Sequence, residues 1–150
     1  MEGEPEAEAK EEAAQIPQKD WFLDTLVDLA NRLGSGMGVT LNIKGTVIHG
    51  NLISGKLYFE ELAKQVEPNP PDDPNQVIIA DAFRGLISKM GEDVYSFDKE
   101  DEDRPPPNFI HLKDARILTG NGLIPSNEGV LWRGRLTSVD GVVFGDMTFS

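Results

Sequence analysis

The sequence contains no cysteine, which excludes a disulfide framework, a thiolate nucleophile and a cysteine-ligated zinc site. That usage fits a reducing compartment, and the cytoplasm is the expected location. Histidine is almost as scarce, with only His49 and His111. Both lie in strand-like segments far apart in sequence, where histidines are more often polar surface residues than ligands, so neither a metal nor another cofactor is expected. No apolar run approaches the roughly 18 residues of a spanning helix. The first residues are acidic and polar, without the basic and apolar regions of a secretory signal, so no membrane role is expected. Nucleophile elbow, phosphate-cradling glycine loop and zinc-binding helix motif are all missing. Carboxylates that could do acid–base work sit in acidic runs or on solvated helix faces such as Glu60 and Glu61. The acidic run at 92–103 lacks the alternating ligands and fixed glycine of a calcium loop. A binding or assembly protein is expected, not an enzyme.

Positive charge is also short, with 14 Lys and Arg against 26 Asp and Glu and a formal net charge of −12. This disfavours nucleic-acid backbones and anionic lipid, and leaves basic or near-neutral protein surfaces as partners. The charge is unevenly placed. Residues 1–15 carry six Glu against Lys10, and residues 92–104 carry seven acids against Lys99 and Arg104, so each stretch contributes −5 and the remainder only −2. A near-neutral body with two acidic appendages can still present a sticky face.

Residues 1–18 are Glu- and Ala-rich with no apolar stripe, and are expected to be a disordered acidic tail. Residues 19–150 are expected to form one α+β domain. Asp20 suits a helix N-cap, and Phe22, Leu26, Leu29 and Leu33 recur at helical spacing, with Leu23, Val27 and Ala30 widening that face. This predicts a helix over 20–33 that packs through the stripe and stops at the glycines of 34–38. Alternation over 39–43, Lys44-Gly45, and β-branched residues over 46–54 predict a hairpin with a bend at Gly50. A short helix over 56–66 ends before the prolines of 68–74. Ile79, Phe83, Leu86, Ile87 and Met90 predict a third helix from 76 to about 90, with those residues as its packing face. The acidic, proline-rich stretch near 92–107 reads as a mobile loop. Strands are expected at 108–118, 130–136 and 142–147, with a turn at Asp140-Gly141. Together these elements predict a small twisted antiparallel sheet or barrel, with an N-terminal helix and two inserted helices.

The segment 130–136 is the most distinctive chemically. On a strand Trp132 and Gly134 face one way and Arg133 and Arg135 the other. Two arginines on one face could grip carboxylates or phosphates; equally, they could be surface residues behind a core tryptophan. Phe109 and His111 likewise share one strand face, opposite Ile110 and Leu112. Trp132, Arg133, Arg135, Phe109 and His111 are the candidate partner-contact residues.

The helix followed by Val39-x-Leu41, Gly45 and Gly50-x-Leu52-x-Ser54 resembles the opening of an Sm-like barrel. The Asp-x-x-x-Asn loop of Sm-like RNA binders is replaced by residues 55–59, and only Arg133-Gly134 echoes their Arg-Gly loop. A broader resemblance runs from Asp20 onward. Asp20-Trp21-Phe22-Leu23, Leu26-Val27-Asp28-Leu29, Gly38-Val39-Thr40-Leu41, residues 50–55, Tyr58-Phe59, residues 109–115 and residues 129–134 resemble, in fixed order, the U-type gas-vesicle accessory proteins. That resemblance implies a non-enzymatic role in vesicle formation, stabilisation or clustering. It implies the shell protein or other accessory proteins as partners and no catalytic residues. Exposed strand edges add an expectation of homo-oligomers. The competing expectation is an Sm-like nucleic-acid-binding or ring-forming adaptor.

Overall fold

The computed structural model describes residues 20–95 and 106–145. Helix α1 (Trp21–Leu33) begins where the Asp20 carboxylate accepts the Phe22 N–H at 2.9 Å. It ends at Gly34, whose φ of +90° frees its N–H to reach the Ala30 carbonyl at 2.8 Å. Strands β1 (Ser35–Ile43) and β2 (Thr46–Ile53) form the expected hairpin, closed by Lys44 and Gly45, both at positive φ. Helix α2 (Gly55–Gln65) is capped by the Ser54 hydroxyl, which accepts the Leu57 N–H at 3.0 Å. Helix α3 (Pro74–Tyr95) starts with proline, whose missing N–H costs nothing in a first turn. Strands β3 (Phe109–Thr119), β4 (Gly122–Ile124), β5 (Val130–Arg135) and β6 (Gly141–Phe144) follow, with a 3₁₀ turn, Leu136–Ser138, between the last two.

Among the described residues the result is the expected α+β class: a six-stranded antiparallel sheet with three helices. Its order is β4-β3-β2-β1-β6, and β5 shares with β4 the outer edge of the long β3. The bend expected at Gly50 is present as a register shift between His49 and Asn51 against β3. The short connection from β5 to β6 has a reach of about 15 Å. A flat sheet would separate those edges by four strand spacings, about 19 Å, so the sheet must curl to bring them together. Its ends are tied there by Leu136 N–H on the Asn108 carbonyl and Asp140 N–H on the Asn42 carbonyl. Strands β5 and β6 do not pair with each other, so the sheet stays open and the closed barrel suggested by the Sm-like resemblance is not formed among the described residues.

The core lies on the concave face. Val39, Leu41, Ile48, Leu52, Ile110 and Leu112 meet Leu23, Val27 and Ala30 of α1, with Leu136 sealing one end. On the convex face, α2 packs over β3, and α3 packs on α2 and reaches β3 through Tyr95 against His111. Arg84 of α3 donates to the Val66 carbonyl at 2.7 Å, joining the end of α2 to the middle of α3.

Several expectations need correction. In α1 the buried residues are Leu23, Val27 and Ala30, while Phe22, Leu29 and Leu33 point outward. In α3 only Ala80 and Gly91 are buried, and Ile79, Phe83, Leu86 and Met90 are exposed. Small residues win the inward face because α2 approaches closely there; a Cβ on Gly91 would lie 2.6 Å from that of Phe59. Helix α3 also runs four residues past Gly91, so 92–95 are helical and not part of a loop. The rest of that loop at 96–105, and the acidic tail at 1–18, fall outside the described residues.

Candidate interaction surface

Strand pairing assembles the residues singled out in β3 and β5. Arg133 stands opposite His111 and Arg135 opposite Phe109, so these four share the convex face. Trp132 stands opposite Leu112 and Gly134 opposite Ile110, on the concave side. Trp132 is half-buried against the core, its ring folded over Gly134, where a Cβ would collide with it.

His111 is not the surface residue its strand position suggested. It is 1% exposed, because the α2–α3 layer covers this part of the sheet. Tyr58 and Phe59 of α2 and Tyr95 of α3 surround it, with ring centroids 4.8, 6.2 and 5.4 Å away. Its Nε2 accepts from Arg133 Nε at 3.1 Å, which fixes a neutral imidazole with the proton on Nδ1. The buried Nδ1 has no hydrogen-bond partner among the described residues. Burial first, and the Arg133 cation second, hold the imidazole's pKa down at about 3. Burial likewise pushes the Tyr58 phenol up, opposed by the same cation.

Arg133 is therefore committed within the chain. Its guanidinium lies 3.7 Å from the Phe109 ring centroid and 5.8 Å from that of Phe59, an arrangement that stabilises it over aromatic faces. Arg135 is exposed. The sequence treated the two arginines as equivalent, and the structure separates them. Replacing Arg133 by Ala is expected to cost about 1–3 kcal/mol, since it removes a cation–π contact and strands His111 Nε2. Arg135→Ala is expected to stay within about 0.5 kcal/mol of wild type. Urea unfolding midpoints of the two variants check this.

His49 does not join His111: its Nδ1 lies 3.0 Å from the Thr40 hydroxyl on the neighbouring strand. No group of three His, Asp or Glu positioned to hold a metal occurs among the described residues. The open hollow between α2 and β3 mixes charged residues, Glu61, Lys113, Asp114 and Glu128, with the apolar Val130 and Leu131. No described helix is long and apolar enough to cross a membrane.

Among the described residues, most of the exposed large apolar side chains lie on α1 and α3. On α1 they are Trp21, Phe22, Leu29 (49% exposed) and Leu33 (66%). On α3 Ile79, Phe83 (55%), Leu86 (56%), Met90 and Val94 follow one stripe, with Val77 and Ile78 exposed beside it near the start of the helix. Isolated exposed apolar residues are ordinary, but contiguous stripes rarely stay bare in a protein that works alone. These stripes were visible in the sequence and assigned to the wrong side.

The fold and this surface define a small α+β protein that displays apolar helical faces beside an open antiparallel sheet. The chain belongs to the GvpU-like family of gas-vesicle proteins: the family model described as "Gas vesicle protein GvpU-like" matches residues 20–147. No curated protein and no solved structure matches the chain.

Proposed function

We propose that the chain is a non-enzymatic accessory protein acting in the formation, stabilisation or clustering of gas vesicles in the cytoplasm. It works through contacts with the vesicle shell or with other accessory proteins, and through self-association. The observation that carries this reading is the outward direction of the two apolar stripes on α1 and α3, in a member of a gas-vesicle family. Such faces gain free energy by leaving water, at about 25 cal/mol per Å², and the partner supplies the surface that does it. The acidic runs keep the free protein soluble while these faces are bare. No observation favours the nucleic-acid adaptor. The net charge is −12, and Arg133 is packed against Phe109 and His111.

The test adds purified protein to gas vesicles washed free of accessory proteins and separates them by centrifugal flotation. The protein is expected in the floating layer, with vesicles clustered in electron micrographs. Protein left entirely in the liquid beneath would overturn the proposal.

A further inference from the structure

We infer that two copies of this chain pair through α3, antiparallel, along Ile79, Phe83, Leu86 and Met90. The inference deepens the self-association part of the proposed function and rests on that reading.

The spacing of these residues is four, three and four, which is the alternation of a two-helix seam and not merely a broad greasy face. They lie about a quarter turn from the Ala80 and Gly91 side that packs on α2. A second helix can therefore occupy the seam without displacing α2. Val94 extends the stripe, and the half-buried Ile87 bridges it to the α2 contact.

The seam is symmetric about its own midpoint, which lies midway between Ile79 and Met90 and midway between Phe83 and Leu86. An antiparallel two-fold through that point sets Ile79 against Met90 of the second copy and Phe83 against Leu86. Phe83 then meets an aliphatic residue, whereas a parallel pair would press it against its own copy.

Five side chains, each about half exposed, offer about 500 Å² per copy, so the pair buries about 1,000 Å², the lower range for a specific interface. The pairing is expected to be reversible and to depend on concentration.

The absence of native cysteine makes the geometry directly testable. Ala82 and Lys89 flank the seam on one side and come together only across an antiparallel pair. Ala82→Cys and Lys89→Cys chains are mixed under mild oxidation. The mixed disulfide is expected to form at least several-fold faster than either homodimer. Faster formation of the two homodimers, or equal, slow formation of all three, would overturn the inference. In parallel, Phe83→Glu with Leu86→Glu is expected to make the chain monomeric by sedimentation equilibrium, with its circular dichroism unchanged because both residues are exposed. Persistent dimers of that variant would overturn the inference. Flotation with vesicles is read separately: a monomeric wild type that still floats would remove the pairing and leave the accessory role standing.

Discussion

Placing aspartate at Val27 is expected to abolish cooperative folding, whereas the same residue at Leu29, two positions along α1, is expected to leave the fold intact. Val27 is 1% exposed and sits among Leu23, Leu41 and Leu112 at the centre of the concave core. The substitution forfeits about 1.5–3 kcal/mol of apolar burial. It also leaves a carboxylate that must remain protonated or drag water inward, a penalty of several kcal/mol. Against a total stability of about 5–15 kcal/mol for a domain of this size, that is enough to unfold it. Leu29 is 49% exposed, so a carboxylate there stays solvated. Thermal melts followed by circular dichroism should show no transition for Val27→Asp and a near-wild-type transition for Leu29→Asp. Melting of both variants together would mean that the outward stripe is part of the core after all.

The second large effect is on acid stability. His111 is held neutral in the folded chain down to about pH 3, but in the unfolded chain it takes up a proton near its ordinary value of about 6.5. Between these limits the unfolded state binds more protons, so the stabilisation is fully present above about pH 6.5 and is lost as pH falls toward 3. The slope approaches about 1.4 kcal/mol per pH unit. His111→Gln keeps an acceptor for Arg133 without a proton to gain. The difference in urea stability between the two chains is therefore expected to change steadily from pH 7 to pH 5, with His49 cancelling because both carry it. A constant difference would show that the imidazole is not shielded by Tyr58, Phe59 and Tyr95.

The fold was legible where local chemistry is decisive. Asp20 and Ser54 cap helices by side-chain oxygens, Lys44-Gly45 supplies the positive φ of a two-residue hairpin, and Gly50 marks the bend in β2. Strand β4, three residues long, is too short to carry an alternation signal. The direction of the helices was not legible from periodicity, since α1 carries Leu23, Val27 and Ala30 beside Phe22, Leu29 and Leu33, two apolar stripes at the same spacing. Residue size was the overlooked clue: Ala30, Ala80 and Gly91 mark the sides where another element comes close. For β3, alternation separated Phe109 and His111 correctly from Ile110 and Leu112. Alternation says nothing about whether a second helical layer covers the polar-looking face. The Tyr58-Phe59 pair at the start of α2 was the signal for that layer, and for the enclosure of His111.

The proposed role of the outward apolar residues is checked by flotation of a Leu29→Asp, Phe83→Asp double variant with gas vesicles beside wild type at equal concentration. Both residues are about half exposed, so the variant should keep the wild-type circular dichroism spectrum and melt. Losing two apolar contacts of about 1–2 kcal/mol each lowers affinity by roughly 30-fold or more, and the account expects the protein to leave the floating layer and the vesicles to disperse. A folded double variant that floats and clusters vesicles as wild type does would contradict it.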